Sequence, residues 1–324
     1  MKKQKKQAYR VRNWREYNAA LVKRGSLTIW LDEAALAGWL EHQRSGKRGA
    51  SQTYSDKAIE AILLLKAVYH LSLRGAQGFA GSIFELMNLE LMNLELPVPH
   101  YSTLSRRQGG LELEMPRLRR GEAIHLVVDS TGCKVYGEGE WKVRVHGKSK
   151  RRTWRKLHLG VDERSGEIMA AVLSSNNVSD GEVLPQLLEQ VEAPIAQLSG
   201  DGGYDKRSCY QALQERQEAQ EQPLKVTIPP RHGARIWQHG NHSAQRLARD
   251  ENVRAIRQKG RKRWKQENGY HRRSLAETAM SRYKRMVGDK LQARDFGRQS
   301  TEAFVGVVML NRMTALGMPQ SYPA

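Results

Sequence analysis

Two apolar runs in this chain end on an aspartate followed by small residues, and that pairing constrains the fold more than any other feature. IHLVV (124–128) runs into Asp129 in VVDSTG, and AQLSG (196–200) runs into Asp201 in LSGDGGYD. Short apolar runs bounded by turn residues read as strands. Each acid is therefore placed at a strand end, on the rim of a sheet, where open α/β proteins build their sites. Either aspartate alone reads as the start of a turn or a helix cap; two in equivalent positions favour a site.

The pattern changes near residue 121. Upstream, residues 1–25 are basic and polar and read as a flexible arm, and 26–118 read as helices. Asp32 is placed as the cap of a helix through AALAGWLEH, and Ser55 as the cap of DKAIEAILLLKAVYHLSL, with Gly75 as its end. A helix through GFAGSIFEL follows, then a turn in PVPHYSTLSRR leading into a short basic helix. That order suggests a helix-turn-helix DNA reader. LMNLE stands twice in tandem, at 86–90 and 91–95; five extra residues rotate a helix face by about 140° unless a loop absorbs them.

Downstream, LHLGV (157–161) and EIMAAVLSS (167–175) flank DERSG as a hairpin, Asp180 is placed as the cap of GEVLPQLLEQV, and LKVTI (224–228) reads as a strand after the helix DKRSCYQALQERQEA. A helix over about 270–287 and the apolar helix EAFVGVVMLNRMTAL complete a second region, 119–315, with 316–324 as a tail. The fold class expected is α/β, a mixed sheet flanked by helices, preceded by a helical region.

A third acid lies in GYHRRSLAETAMSRYK. Tyr270, Arg273, Glu277 and Lys284 are spaced by 3, 7 and 14 from the tyrosine. On one continuous α-helix they share an arc of roughly 60°. An exposed i,i+4 pair explains Arg273 beside Glu277, but not the presence of two strand-end acids in the same chain. Three converging carboxylates repel, by about 4 kcal/mol for a pair 4 Å apart at an effective dielectric of 20. A cation resolves this, and oxygen-only ligands select Mg2+ or Mn2+. Two such ions serve in-line phosphodiester chemistry.

Charge points to the partner. The chain carries 54 Lys and Arg against 34 Asp and Glu, a formal net charge of +20, which favours a polyanion. Residues 141–156, WKVRVHGKSKRRTWRK, hold eight Lys or Arg and no acid, with Trp141, Val143 and Val145 alternating with Lys142, Arg144 and His146. This reads as a half-buried strand beside Asp129 whose outer face, continued by Lys148, Arg151, Arg152 and Arg155, tracks phosphates. Residues 231–273 hold thirteen Lys or Arg against three acids and read as a basic insertion, about 231–268, that orders on DNA. Trp237 and Trp264 there could stack on an unpaired base, although ordinary packing is the commoner role. His158 on an alternating strand reads as structural.

The two cysteines, Cys133 and Cys209, form no metal-binding spacing. The basic start lacks the apolar stretch of a signal peptide, and no run approaches a membrane span. A cytoplasmic, nucleoid-associated protein is expected.

Tyr270-x2-Arg273-x3-Glu277-x6-Lys284, taken with VVDSTG and GDGGYD in that order, resembles the signature of bacterial insertion-sequence DDE transposases. WKVRVHGKSKRRTWRKLHLGVD and YSTLSRR resemble segments of the insertion-sequence-five family, so the likeness spans roughly 25–315. The resemblance implies an RNase H-like catalytic domain and the cutting and joining of DNA at the element's ends. It implies Asp129, Asp201 and Glu277 as ligands of two metal ions, and Tyr270, Arg273 and Lys284 as DNA contacts. It further implies double-stranded DNA partners (the terminal inverted repeats and a target) and a homodimer on DNA. The tandem LMNLE departs from the single copy usual in the family. On the residues alone two alternatives stay open: a related nuclease that cuts without joining, and a non-enzymatic binder of element ends. Arg273 and Lys284 beside Glu277 count against the nuclease.

Overall fold

The computed structural model describes residues 9–42, 52–90, 96–113, 115, 122–135, 154–220, 222–238 and 247–323. The chain divides into two units, Met1–Pro116 with Val308–Ala324, and Arg117–Val307. The second unit therefore ends eight residues earlier than the expected boundary at 315, within the last apolar helix.

In the first unit β1 (Tyr9–Val11) precedes α1 (Trp14–Lys23), α2 (Leu27–Trp30), α3 (Glu33–Ala37), α4 (Asp56–Val68), α5 (Leu73–Glu90) and α6 (Tyr101–Arg107). The described part of the expected flexible arm thus holds β1 and α1, and β1 pairs antiparallel with Ser321–Pro323 of the expected tail. Asp32 does cap α3, accepting the Ala35 N–H at 2.8 Å. The helix stops at Ala37, however, because the chain turns to pair Leu40 with Tyr54.

Ser55 caps α4 by accepting the Ala58 N–H at 3.2 Å. Its Ile59, Ile62, Leu63, Leu64 and Leu65 are all buried, the pattern of a helix enclosed on nearly every side. Gly75 does not end α4. The break falls at His70, whose φ of 52° is left-handed, and Gly75 lies inside α5, where its N–H is capped by Ser72 Oγ at 3.0 Å. The first LMNLE copy ends α5; the second, 91–95, lies outside the described residues. In α6, Arg107 donates to the Tyr54 carbonyl at 2.8 Å and pairs with Asp56, so this basic residue holds the start of α4.

The second unit holds β2 (Ile124–Val135), β3 (Trp154–Asp162), β4 (Ile168–Ser175), α7 (Asp180–Glu189), β5 (Ile195–Ser199), α8 (Arg207–Gln220), β6 (Lys225–Thr227), α9 (Ala248–Lys259), α10 (Arg261–Glu267), α11 (Ser274–Met286), β7 (Lys290–Leu291) and the start of α12 (Phe296–Leu316). The sheet order is β4-β3-β2-β5-β6, with β7 against the end of β2. β3 runs antiparallel to both β2 and β4, while β5 is parallel to β2 and β6 to β5. This is the order and direction of an RNase H-like sheet. The hairpin falls where DERSG places it: Asp162 accepts the Ser165 N–H and hydroxyl, and Gly166 takes the left-handed φ of 71°.

Ile124, Leu126 and Val128 point to one face, where they meet Val183, Leu184, Leu187 and Leu188 of α7 and Tyr210 and Leu213 of α8. His125, Val127 and Asp129 alternate to the opposite face. Within α7, Pro185 lacks the N–H that would bond Gly181, and the Cys209 thiol donates to that carbonyl instead, at 3.3 Å. Among the described residues no helix is long and apolar enough to cross a membrane.

Candidate active site

Asp129 is not at a strand end. β2 continues six residues beyond it, because Ser130 to Lys134 still pair with β3, opposite His158 to Trp154. The rim exists on the other edge only, where the parallel ladder stops at Val127 opposite Ser199. Asp129 and Asp201 each stand two residues past that last pair, so they leave the ladder in step. Asp201 then caps a short 3-10 turn (Gly202–Tyr204), its Oδ1 accepting the Gly203 N–H at 2.8 Å. Gly200 is required by a close approach: a Cβ there would stand 2.9 Å from the Tyr204 ring and 3.1 Å from Val128.

The third acid arrives from a different geometry than one continuous helix. Tyr270–Arg273 form a 3-10 turn, and only Ser274–Met286 is α-helical. Residues i and i+3 eclipse in a 3-10 turn, so Tyr270 and Arg273 still share a side, with the guanidinium 5.9 Å from the ring centroid. The turn is pinned to the sheet by Gln197 of β5, which donates to the Asn268 carbonyl at 3.1 Å, and by an Arg272–Glu163 pair.

Arg273 links two of the three acids. Its Nη1 donates to Asp129 Oδ2 at 3.0 Å and its Nη2 to Glu277 Oε1 at 2.6 Å. Burial pushes the Asp129 carboxyl above its ordinary pKa; the Ser130 amide and Arg273 oppose this, while Asp201 and Glu277 push the same way. Asp129 therefore senses both of the other acids. Burial also raises the Tyr270 phenol, with Asp201, Asp129 and Glu277 adding to the shift and Arg273 opposing it. Among the described residues no three His, Cys, Asp or Glu side chains close around one point; a guanidinium lies between Asp129 and Glu277. The side chains gathered here nonetheless offer oxygen donors that suit a hard cation, and only glycine fits at 203, where a Cβ would stand 2.9 Å from Asp201 Oδ1.

Lys284 is exposed and two turns beyond Glu277. Its charge acts on Cys133, four residues along β2 from Asp129, so it lies toward the far end of that strand. Lys142, Arg144, Lys148, Arg151 and Arg152 lie outside the described residues, as does the strand expected over Trp141, Val143 and Val145. Arg155 is engaged with α12, donating to Gln299 Oε1 at 2.8 Å and lying 5.3 Å over the Phe296 ring.

Among the described residues of the basic stretch before Glu277, Ala248–Lys259 and Arg261–Glu267 are helical without DNA. Arg249 donates to Asp205 at 2.8 Å and to the Arg235 carbonyl at 2.7 Å, with the Trp237 ring 3.7 Å beneath it. Trp264 is buried and donates to Asn252 at 3.2 Å. Both indoles are therefore packing residues.

Sequence reasoning missed a second polar group at the centre. Asp180 does not cap α7; Ser179 stands at the N-cap position, where its hydroxyl donates to the Glu182 carboxylate and caps no backbone amide. Asp180 Oδ1 instead accepts the Ser130 hydroxyl at 3.0 Å and Lys156 Nζ at 3.4 Å, and lies 3.7 Å from His158 Nδ1. His158 is structural as expected: it is fully buried, shares a 2.8 Å hydrogen bond with Ser174, and burial lowers its pKa to about 4. The signal was present in the alternation of β2 and β3, which sends Ser130, Lys156 and His158 to the α7 face.

Comparison with known families matches residues 120–312 to a family model described as a transposase DDE domain, and residues 22–138 to a second model of the same description. Among solved structures, a piggyBac transposase synaptic complex with hairpin DNA aligns over 90% of this chain and 75% of that one, at 11% identity and a TM-score of 0.38.

Proposed function

The chain belongs to the DDE transposase family, and from that premise we propose that it cuts and joins DNA at the ends of an insertion sequence of the insertion-sequence-five type. Asp129, Asp201 and Glu277 are the acids of its centre in this reading. The observation that carries it is the single guanidinium joining Asp129 to Glu277, with Asp201 leaving the neighbouring strand in step with Asp129. The family generally uses divalent metal; the oxygen donors here suit two ions of Mg2+ or Mn2+, held by the three acids. When bound, such ions stabilise charge on the attacking and leaving oxygens of an in-line displacement.

Arg273 does the positioning. Its fork joins two carboxylates, and the same fork fits a phosphate bidentately. Tyr270 and Lys284 extend this side along the DNA, and Lys142, Arg144, Lys148, Arg151 and Arg152 with Arg155 supply a backbone track. Residues 26–118 read the terminal repeats, with 119–315 as the catalytic domain, and a homodimer brings two ends together in the bacterial cytoplasm at the nucleoid. If about 6–10 phosphates are neutralised, affinity falls roughly 10³–10⁵-fold between 50 and 200 mM salt; a flat salt response in a binding titration removes the track.

The test is cleavage of DNA carrying the element's ends, with binding measured in parallel. Asp129→Ala, Asp201→Ala and Glu277→Ala each reduce cleavage below detection and leave end binding in place. The tandem LMNLE favours a second reading, an inactive end-binding copy, for which the wild type binds ends and cuts nothing.

A further inference from the structure

We propose that Lys265 holds a backbone phosphate of the DNA strand that is cut, next to the phosphodiester that reacts. The proposal rests on the reading of Asp129 and Glu277 as acids of the catalytic centre. The stretch from Lys259 to Lys265, KGRKRWK, carries five Lys or Arg and no acid. Three of the five are engaged inside the protein. Lys259 and Arg263 donate to the two carboxylate oxygens of Glu267, at 2.9 and 2.8 Å, and Arg261 donates to the Pro230 carbonyl at 2.7 Å. Lys262 and Lys265 have no acid partner among the described residues. Lys262 is exposed, whereas Lys265 is half-buried.

What keeps Lys265 out of solvent is Tyr270. The Lys265 Nζ lies 4.9 Å from the centroid of that ring, where the negative face of the π-system attracts an ammonium. The same ring lies 5.9 Å from the Arg273 guanidinium, which joins Asp129 to Glu277. One aromatic ring therefore links an unpaired ammonium to the acid centre. The arrangement is anchored on both sides of Lys265. Trp264 is 1% exposed and donates to Asn252 at 3.2 Å, and the Asn268 carbonyl accepts from Gln197 of β5. Of the Lys and Arg side chains at the turn, Arg273 meets two carboxylates and Arg272 pairs with Glu163. Lys265 is the one whose charge no acid answers among the described residues. A phosphodiester supplies that anion, and a lysine meets it as a compact point charge, without the fork that matches carboxylates. Such a contact fixes the strand in register without reading a base.

The experiment titrates the full chain with duplex DNA carrying the element's end, between 50 and 200 mM salt, and measures cleavage of the same duplex. Lys265→Met keeps an apolar stem over Tyr270 and removes the charge. It weakens binding about fivefold and lowers the slope of log affinity against log salt by about 0.9, the loss of one phosphate contact. Lys265→Arg restores both, and Lys265→Gln repeats the loss should the methionine variant fail to fold. Arg263→Ala, whose guanidinium is engaged with Glu267, keeps the wild-type slope. Neutral methylphosphonates, placed one at a time, then locate the contact. At a phosphate adjoining the cleaved bond the substitution weakens the wild type about fivefold and adds nothing to Lys265→Met. The proposal is overturned if Lys265→Met keeps the wild-type slope, if Arg263→Ala loses as much, or if the insensitive phosphate lies far from the cleaved bond. It falls alone when Asp129→Asn and Glu277→Gln stop cleavage in the same series. If those two variants cut as wild type does, the underlying reading fails and takes Lys265 with it.

Discussion

Two arginines of the second unit are each bracketed by two carboxylates, and they differ in what surrounds them. Arg249 sits between Asp205 and Asp250 with side chains only 5%, 2% and 1% exposed. Every charge there is answered: Asp250 also takes the Trp237 and Gln238 N–H groups, and Asp205 takes that of Arg231. Arg273 sits between Asp129 and Glu277 with exposures of 22%, 17% and 56%. That cluster keeps acceptor capacity in hand and opens to solvent. The first arrangement holds a loop onto the fold; the second is able to exchange partners. One residue combination serves structure or chemistry according to how completely it is desolvated and hydrogen-bonded.

The largest effect that separates them is a crossed one. Asp129→Ala takes cleavage below detection and leaves the melting temperature near wild type, whereas Asp250→Ala unfolds the chain at lower denaturant. Removing one partner of the buried cluster costs about 3–5 kcal/mol, read from urea titration. If Asp250→Ala is as stable as wild type, the contrast is broken.

Next in size is a pH effect beside the open cluster. His125 is bonded to Ser199 at 2.8 Å, and burial, with Arg272 adding, lowers its pKa to about 4. It is therefore neutral at pH 7, and its 3.9 Å approach to Glu163 is not an ion pair there. Below about 6.5 the unfolded chain binds a proton that the folded chain refuses, so stability falls as pH drops from about 6.5 toward 4. The loss is on the order of 2 kcal/mol by pH 5. His125→Gln flattens that slope in a series of melts; an unchanged slope assigns it to other groups. The smallest effect belongs to a pair open to water. Arg263, 2.8 Å from Glu267, leaves the melting temperature near wild type when changed to alanine, because water screens an exposed pair; a clear drop sharpens the comparison toward partial burial.

Much of this was legible in the chain because it depends on local chemistry. Ser55 and Asp32 cap helices where their positions require, and DERSG turns a hairpin because Asp162 and Gly166 suit one. What could not be read locally was how far each ladder runs. Asp129 lies in mid-strand because β3 reaches past it, and the rim forms where β5 stops. Likewise Gly75, which looks like a terminator, is accommodated inside α5, and the left-handed turn falls at His70. Tyr270 and Arg273 share a face through a 3-10 turn, which the spacing of apolar residues does not distinguish from an α-helix.

The sequence by itself determined the residue types and their order: two acids after apolar runs, a Tyr–Arg–Glu–Lys series, and a large positive charge. These follow from period and spacing within a few residues, where backbone geometry dictates the outcome. Only the tertiary structure decided that Arg273 bridges Asp129 and Glu277, that Arg249 is sealed between Asp205 and Asp250, and that Asp180 bonds Ser130 and Lys156. The two acids that Arg273 joins stand 148 positions apart, and the two that bracket Arg249 stand 45 apart. Their geometry and burial depend on strand register and helix packing, and no local pattern encodes either.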